Sequence, residues 1–412
     1  MFDTMGSASS RASDSVDLEH PENYGPAPWR FSWLRSWDEV WSPSNLEDWR
    51  ATIACGDEVH VTPFMHPDVV RAWLESTGGE GAYRPFFLRA THASGQRVLW
   101  LLVRRRGFWG TGLLRELMPV GGDLFDYHDP IVAPPRRAGG VLAPGFWKAL
   151  EAELRRHEGS WFDHCSFSRL RPACFGDGGF AQAGGTAALV RLDAYPDFPA
   201  YMAARRGSIN KLARKQRKLA SSGNARFRVY GPDELDAALA WLPDLVAAYR
   251  ARYPEGAVTP EFLASLVRHG LPSGVVHCSA LELDGKPFSW HLGFHLNRVH
   301  YDYLCGFDAD YGRLSPGLMH VHGLIDWLYA ESDARVFDFL LGAEGYKADW
   351  TDGGEVTVRN AGFRSRALST LPRTYARRGL AFARRQIAAI EAAPGRVLPG
   401  RRQMGELGSV GR

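Results

Sequence analysis

The sequence predicts an α/β fold of the α+β kind, in which two related domains each hold a mixed, mostly antiparallel sheet flanked by helices. The second half supplies the observations that predict it. Apolar runs joined by turns at residues 284–285 and 297–298 indicate a three-strand meander. A helix is indicated from Pro316, and a strand at 336–341 follows it at once. This order differs from the regular alternation of a doubly wound dinucleotide fold.

Local signals justify each element in turn. Residues 226–230 alternate as a strand does, and Pro232 begins an amphipathic helix. Thr259 supplies a helix N-cap before Pro260 at the first helical position, and Gly270 ends that helix. The meander, the strand after the next helix and the last strand are predicted at residues 275–283, 287–296, 300–307, 336–341 and 355–363.

The first half repeats part of this order more faintly, with a hairpin around residues 92–96, a helix near 146–157 and a strand at 161–167. A diverged duplication explains the repeat about as well as chance does. Glycine and alanine dominate residues 172–190, where we place the domain linkage, and an Arg-rich helix is predicted from about Thr374. The predicted division is a disordered tail at 1–25, an N-terminal domain at 26–190, a C-terminal domain at 191–393 and a disordered tail at 394–412.

The composition of the 412-residue chain is globular, with 45% hydrophobic and 23% charged residues. Its 49 Lys and Arg residues nearly balance 46 Asp and Glu residues, so a protein that coats nucleic acid is not indicated. The longest apolar runs, such as 98–103, are far shorter than the roughly 20 residues that span a bilayer, and we expect a cytoplasmic protein. Five scattered cysteines without a CxxC pair predict a reduced compartment and no structural zinc.

The histidines predict no metal site. His291 and His295 lie four apart on a predicted strand, so they share a face but stand roughly 13 Å apart. His320 and His322 lie two apart on a predicted helix and diverge. One ion bridges neither pair. Cys305 lies within a predicted strand and is expected in the core rather than as a nucleophile.

The segment between the third strand of the meander and the following helix is a candidate anion site. Ser315 is expected to cap the helix that starts at Pro316, and the free N–H groups of its first turn favour a phosphate or pyrophosphate. Gly312 and Gly317 allow close approach of the main chain, and Arg313 adds a cation. An ordinary capped helix after a glycine-bearing turn is the alternative interpretation.

Several motifs occur in combination. They are Asp284-Gly285-Lys286-Pro287, Ser315-Pro316-Gly317, Phe337-Asp338-Phe339, the group Gly342, Glu344, Tyr346, Lys347 and Trp350, and, upstream, Asp126-Tyr127-His128-Asp129-Pro130. This combination resembles the CelD-like acetyltransferases, which are related to the FemABX transferases and built from GNAT-type domains. The resemblance covers about residues 60 to 375 and implies two GNAT-like domains, of which the N-terminal one is degenerate. The proline at the helix start departs from the glycine-rich pyrophosphate loop of ordinary GNAT enzymes.

The resemblance implies direct transfer of an acyl group from acetyl-CoA or another acyl-CoA to an amine, without a metal. The implied acceptor is an amino sugar or a precursor of an exopolysaccharide or of the cell envelope. Lys347 would stabilise the oxyanion or hold a donor phosphate, whereas a surface lysine is the alternative. The candidate residues are, for catalysis, Lys347, Tyr346, Glu344 and Asp338; for the donor, Gly312, Arg313, Ser315, Pro316, Gly317 and Leu304; and for the acceptor, Asp126, Tyr127, His291 and Arg206.

A basic segment precedes the second-half strands. Nine Lys or Arg residues and no acid lie between Asp197 and Asp233. Such a charge attracts an anionic donor such as CoA, aminoacyl-tRNA or a sugar nucleotide, although a solvated helix face also explains it. Two alternative functions therefore stay open: a FemABX-like transferase that takes its amino acid from aminoacyl-tRNA, and a non-catalytic partner in polysaccharide assembly.

Overall fold

The structure, a computed structural model, describes residues 28–106, 115–134, 141–157, 159–174, 182–205, 211–254 and 256–364. Both predicted tails, the helix predicted from Thr374 and the candidate residue Arg206 lie outside the described residues. Residues 175–181 of the predicted linkage also lie outside them.

The described strands form one continuous mixed sheet. In chain order they are β1 (Trp29–Leu34), β2 (Tyr83–His92), β3 (Arg97–Arg106), β4 (Arg115–Pro119), β5 (Ile131–Ala133), β6 (His164–Leu170), β7 (Gln182–Arg191), β8 (Ala225–Tyr230), β9 (Val276–Leu283), β10 (Lys286–Leu296), β11 (Val299–Phe307), β12 (Val336–Leu341) and β13 (Gly354–Arg364).

Helices flank this sheet. They are α1 (Trp37–Val40), α2 (Pro43–Ile53), α3 (Pro67–Ser76), α4 (Phe146–Arg155), α5 (Phe198–Arg205), α6 (Leu212–Ala220), α7 (Leu235–Ala240), α8 (Leu242–Arg252), α9 (Pro260–Gly270), α10 (Pro316–Glu331) and α11 (Lys347–Trp350). Among these described helices, none combines the length and apolar character that a membrane crossing requires.

The strand order reads the same way from both edges of the sheet. From one edge it runs β1-β2-β3-β4-β6-β13, and from the other it runs β8-β9-β10-β11-β12-β7. In each set one pair is parallel, β4 with β6 and β11 with β12, and the other neighbours are antiparallel. The two halves of the sheet therefore have the same arrangement of strands. This mixed sheet with flanking helices confirms the predicted fold class.

The last strand of each half lies in the sheet of the other half. β13 pairs with β6, β7 pairs with β12, and β7 and β13 pair with each other. The linkage predicted at residues 172–190 is therefore partly wrong, because β7 is a central strand. Its Gly184 packs closely, since a Cβ there would stand 3.0 Å from Val358 of β13. Glycine and alanine have low β-propensity, so the local sequence pattern did not predict this strand.

Several predicted local signals are confirmed. Asp284 and Gly285 have φ of 50° and 78°, and Asn297 and Arg298 have φ of 48° and 62°, as the tight turns of type I′ hairpins require. The Thr259 hydroxyl accepts a main-chain N–H of the first turn of α9 at 3.2 Å. These turns and caps fix the register of β9, β10 and β11.

Two predicted helix starts differ in detail. Pro232 begins a short 3₁₀ turn, and the helix that follows is divided into α7 and α8 at Trp241. Ser315 precedes α10 as predicted, but its side chain makes no capping hydrogen bond. Its backbone is left-handed, with φ of 58°, whereas a capping side chain normally needs an extended backbone.

Helix packing joins the two halves. α3 and α9, which occupy equivalent positions in the two halves, pack against each other within one apolar core that spans both halves. A second apolar core lies under α5, α6 and α10 in the second half. The second-half sheet thus carries helices from two sides, and its parallel pair lies between them.

Candidate active site

The parallel pair β11–β12 diverges before either strand ends. Its last paired residues are Tyr301 and Asp338, yet both strands continue beyond them. Leu340 has a left-handed backbone, with φ of 55°, and β12 shifts its register against β7 at this point. We call the opening between residues 302–307 and 339–341 the β11–β12 gap.

Two cavities open at the β11–β12 gap. The large cavity has a volume of about 660 Å³ and lies against β11, α8 and the first turn of α10. The small cavity has a volume of about 180 Å³ and is lined by the ends of β11 and β12 and by Asp126 from the first half. The two cavities meet at a shared wall, whose residues line both: Arg252, Asp302, Cys305 and Tyr346.

The shared wall differs from the sequence-based expectation. Cys305 was expected in the core, which is wrong, because its side chain is exposed where β11 leaves β12. The carboxylate of Asp302 is buried, and its Oδ1 lies 2.9 Å from Nε2 of His291. The sequence offered one indication that Asp302 belongs to the site, namely a carboxylate inside an otherwise apolar strand. It offered no indication for Arg252, because only the packing of α8 brings that residue to the shared wall.

Lys347 holds the end of β12. Its buried Nζ lies 3.0–3.5 Å from the carbonyl oxygens of four consecutive residues, 339–342, and 2.9 Å from Oε2 of Glu344. An ammonium group has three N–H donors, so these acceptors occupy all of them. Lys347 lines the small cavity and fixes the main chain where β12 turns away from β11.

Glu344 faces the small cavity beside Lys347. Its Oε1 accepts a hydrogen bond from the hydroxyl of Tyr253 at 3.2 Å. Burial opposes ionisation of Glu344, but the Lys347 ammonium outweighs it and lowers the pKa of the carboxyl. A Cβ at Gly342, where φ is 143°, would press against both the carboxylate and the ammonium. Glycine therefore allows this ion pair to form.

Asp126 reaches the small cavity from the first half of the chain. Its Oδ2 accepts the main-chain N–H of Leu341 at 3.2 Å. Burial raises the pKa of Asp126 to about 6, although the Arg169 guanidinium opposes the rise. Such a carboxylate is largely ionised at neutral pH, and it accepts a proton more readily than an ordinary aspartate does.

Asp338 and Tyr127 lie beneath the gap. The Tyr127 hydroxyl is 3.0 Å from both carboxylate oxygens of Asp338, and Oδ1 also accepts the N–H of Leu340 at 2.8 Å. Burial raises the pKa of Asp338 to about 6 and, with the nearby Asp338 carboxylate, raises the pKa of Tyr127 well above its ordinary value. Neither side chain is among the described residues that line the two cavities. This pair joins the two halves and supports the left-handed turn at Leu340.

The start of α10 contributes one predicted donor-site residue to the cavity wall. Of Gly312, Arg313, Ser315, Pro316 and Gly317, the structure places only Gly317 on the large cavity, among the described residues. A Cβ added at Gly317 would have no atom within 4 Å, so the first turn of α10 borders open space. The first N–H groups of a helix lack partners within the helix, and they make this corner suited to an anion.

The basic helix α6 packs beside this corner. Nζ of Lys218 donates to the carbonyl oxygen of Arg313 at 3.2 Å, and Nε2 of Gln216 lies 3.1 Å from Nε2 of His322 on α10. Several cations of this region are exposed: Lys211 just before α6, and Arg214, Arg217 and Lys218 within it. The positive charge of α6 therefore flanks the start of α10.

Two more predicted residues line the cavities. Leu304 lines the small cavity, and the buried His291 lines the large one. His291 stands beside His277 and His300 of the neighbouring strands. Burial, with the neighbouring histidines, lowers the pKa of His277 and of His300 well below the ordinary value, so both rings are neutral at physiological pH.

The chain is similar in structure to several solved proteins, although every TM-score below is under 0.5. The C-terminal domain of a protein described as a lysylphosphatidylglycerol synthetase, from Agrobacterium fabrum, has 16% identity and a TM-score of 0.48 over 77% of this chain and 91% of that chain. FemX has 10% identity and a TM-score of 0.47 over 72% and 96%. A tandem GNAT protein from the clavulanic acid biosynthesis pathway has 13% identity and a TM-score of 0.41 over 82% and 98%. At these scores the similarities carry no argument about activity.

The family comparison concerns the half that contains the gap. A search of curated proteins found no match to the chain. Residues 205–348 match the family model described as Acetyltransferase (GNAT) domain. This segment includes α6, the β11–β12 gap and the start of α10. Most residues that line the two cavities thus lie in the segment that matches a GNAT acetyltransferase domain, while Asp126 and Trp350 lie outside it.

Proposed function

We propose that the chain transfers an acyl group from an acyl-CoA to an amine at the β11–β12 gap. One observation carries the proposal: two cavities meet at the shared wall, and the N-terminus of α10 borders the larger one. A thioester carrier needs an anion site for its pyrophosphate and a slot for its pantetheine arm. β11 continues beyond its last residue paired with β12, so this edge of β11 faces the amides of that arm.

The donor occupies the large cavity in this proposal. Its volume of about 660 Å³ lies within the usual range for small-molecule sites, roughly 300–1,000 Å³. The pyrophosphate binds at Gly317, where the N–H groups of α10 and the cations of α6 supply positive charge. The thioester then lies at the shared wall, between Asp302 and Tyr346.

The acceptor amine enters the small cavity, where Asp126 and Glu344 attract it. The amine nitrogen forms a bond to the carbonyl carbon, its proton passes to Asp126, and the carbon–sulfur bond breaks. The departing thiolate accepts a hydrogen bond from the Tyr346 hydroxyl, and the proton on Asp126 is released to solvent. Burial, with nearby acidic groups, raises the pKa of Tyr346, so its hydroxyl keeps its proton and stays a hydrogen-bond donor.

Lys347 has a positioning role in this proposal rather than direct contact with the oxyanion. Its ammonium already binds four carbonyl oxygens and Glu344, so it orders the end of β12. The small cavity, about 180 Å³, holds only the amine-bearing end of a larger acceptor. We propose an amino sugar or an envelope polysaccharide precursor as that acceptor, on the strength of the CelD-like motifs.

A second candidate function is transfer from aminoacyl-tRNA. The exposed cations of α6 favour it, because a polyanion would contact several of them at once. Its binding would weaken steeply as salt concentration rises, in proportion to the number of phosphates contacted. Binding of a CoA thioester, which carries few phosphates, depends less on salt.

The test compares three glycine variants by calorimetric titration with acetyl-CoA. Gly317→Glu places a carboxylate at the start of α10, so we expect affinity to fall roughly 100-fold, or about 2.7 kcal/mol. Gly317→Ala adds a methyl group without a charge and meets no protein atom, so it should lose less affinity than Gly317→Glu does. Gly312→Glu adds the same charge where it also meets open space but is off the cavity wall, and it loses less than Gly317→Glu does.

Two results would contradict the proposal. If acetyl-CoA and longer acyl-CoAs do not bind the wild-type chain while tRNA does, the aminoacyl-tRNA reaction replaces it. Equal losses in Gly317→Glu and Gly312→Glu would show that the start of α10 does not hold the pyrophosphate.

A further inference from the structure

Three histidines from neighbouring strands converge in the second-half sheet. His277 of β9 pairs with Gly293 of β10, and His300 of β11 pairs with His295 of β10. β10 has an irregular register between residues 292 and 294, which brings His291 alongside the other two. The ring centroids of His277, His291 and His300 lie 4.9–6.0 Å from one another.

The ring nitrogens of this cluster have few partners. One nitrogen from each of His277, His291 and His300 lies within 4.8 Å of the others. Among the described residues, no ring nitrogen of His277, His291 or His300 makes a hydrogen bond, and Nε2 of His291 lies 2.9 Å from the carboxylate of Asp302. All three side chains are buried. Buried polar atoms without partners are costly, and a bound ion is one way to satisfy them.

Glycine at position 293 leaves room for the cluster. A Cβ there would stand 2.6 Å from Cε1 of His291 and 3.1 Å from Nε2 of His300, both closer than atoms normally approach. The two rings therefore meet above a main chain that lacks a side chain. His277 also lines a separate cavity of about 430 Å³, which gives an ion a path from solvent.

We propose that His277, His291 and His300 bind a divalent transition-metal ion of the zinc class, with the fourth position open. Neutral imidazoles are favoured ligands of such ions, and three histidines with one free position form a known zinc coordination. A zinc–nitrogen bond is about 2.0–2.1 Å long, so each of the three rings must place one nitrogen at that distance from the ion. Oδ1 of Asp302 lies 2.9 Å from Nε2 of His291, so in this proposal Asp302 orients the ring and Nδ1 is the ligand.

Two other groups of side chains that contain histidine are poorer candidates for a metal site, because their polar atoms already have partners. His60, Asp129 and Cys174 also lie within 4.8 Å of one another, but Arg171 binds the Asp129 carboxylate and already supplies a positive charge. His320 lies beside His291, yet both its ring nitrogens are satisfied by the hydroxyls of Ser279 and Ser289, at 3.0 and 2.9 Å.

The metal would connect the sheet to the cavities. His291 lines the large cavity, and its partner Asp302 belongs to the shared wall. An ion that binds three adjacent strands therefore orders β9, β10 and β11 where the donor cavity begins. This inference goes beyond acyl transfer, because it concerns the metal content of the chain and does not depend on the reaction.

The test measures metal content and metal affinity of the full, tag-free chain. After dialysis against Zn²⁺ and then against buffer, we expect about one zinc ion per chain by mass spectrometry. His277→Gln and His300→Gln reduce that ratio to a small fraction. His320→Gln is the matched control, since it replaces a buried histidine of the same core, and it keeps the ion. Titration of the wild-type chain with Co²⁺ gives the visible absorption of a tetrahedral nitrogen-ligand site.

The melting temperature of the wild-type chain is a second measurement, and it keeps the test decisive if the variants do not fold. Zn²⁺ raises the melting temperature of the wild-type chain, and a chelator reverses the rise. A folded wild-type chain that takes up neither Zn²⁺ nor Co²⁺ would overturn the proposal. Variants His277→Gln and His300→Gln that bind zinc as tightly as the wild type would overturn it too.

Discussion

The two parallel strand pairs, β4–β6 and β11–β12, turn in the same way and then differ in what lies beyond the turn. The penultimate residue of β6, Arg169, has φ of 54°, and the penultimate residue of β12, Leu340, has φ of 55°. In the first half, the N–H of His128 donates to the Arg169 carbonyl oxygen at 3.2 Å, and the guanidinium donates to the Phe125 carbonyl oxygen at 2.7 Å. In the second half, the two cavities open at the corresponding place.

The difference shows how the same backbone turn serves two purposes. In the first half, residues 121–130 occupy the space that β4 leaves beside β6, so this half has a filled gap. The same segment carries Asp126, whose carboxylate binds the N–H of Leu341 in the second half. The segment that fills the gap in the first half therefore supplies a carboxylate to the β11–β12 gap in the second half.

The largest effect is expected from Asp126→Asn. If Asp126 accepts the amine proton, its loss lowers kcat by roughly 10² to 10⁴-fold. In the wild type, activity rises with pH through about 6, because the base must be ionised, and this rise disappears in the variant. The measurement is the pH profile of kcat for thiol release from acetyl-CoA.

Stability gives an independent check on Asp126. Because the folded pKa is raised, the ionised carboxylate destabilises the folded state at pH values above about 6, and this penalty disappears below its ordinary pKa. Asp126→Asn should therefore melt at a higher temperature than the wild type at pH 8, with a smaller difference at pH 5. Asp38→Asn, at an exposed aspartate of the first half, is the control. Unchanged kcat in Asp126→Asn would exclude it as the base.

Filling the β11–β12 gap should make the second half resemble the first, in which the corresponding space is already occupied. Cys305→Trp places an indole at the shared wall, so acetyl-CoA affinity should fall by roughly 100-fold, or about 2.7 kcal/mol. The folded state should tolerate the change, because Cys305 is exposed. Cys55→Trp, at an exposed cysteine of the first half, is the control for a large exposed ring. Equal affinity in Cys305→Trp and wild type would show that the donor binds elsewhere.

The smallest effect on activity is expected from a change that loosens residues 121–130, which fill the gap of the first half. Arg169→Gln removes the hydrogen bonds to the 121–130 segment, so the free energy of unfolding should fall by about 1–3 kcal/mol, while acetyl-CoA affinity stays unchanged. Loss of this cation also raises the pKa of Asp126, so the pH profile moves to higher pH. Arg156→Gln, which breaks an exposed ion pair, is the control in thermal denaturation and titration. A large loss of donor affinity in Arg169→Gln would contradict the conclusion that the donor binds in the second half and that Arg169 acts on stability.

Local signals predicted much of the second half. The turns at residues 284–285 and 297–298 and the cap at Thr259 depend on neighbours in sequence, and the structure confirms them. Ser315 was mispredicted as a side-chain cap, because sequence does not reveal its left-handed backbone. The exchange of β7 and β13 was missed, because it depends on pairing between distant segments.

The candidate site was predicted in part. Sequence motifs indicated Glu344, Tyr346 and Lys347, which the structure brings to the small cavity. The hydrogen bonds that occupy Lys347 were not predictable, because they need the left-handed turn of β12. The three-histidine cluster was missed for a similar reason: its members come from three strands, and spacing along one strand does not report contacts across a sheet.

The exchanged last strands have a consequence for synthesis of the protein. When the ribosome has completed residues up to 170, the edge of β6 has no partner, and it gains one only after residues 354–364 have emerged. Unpaired strand edges invite pairing with other chains, and pairings between distant segments form slowly. During translation the edge of β6 therefore stays open to pairing with other chains until the last strand is made.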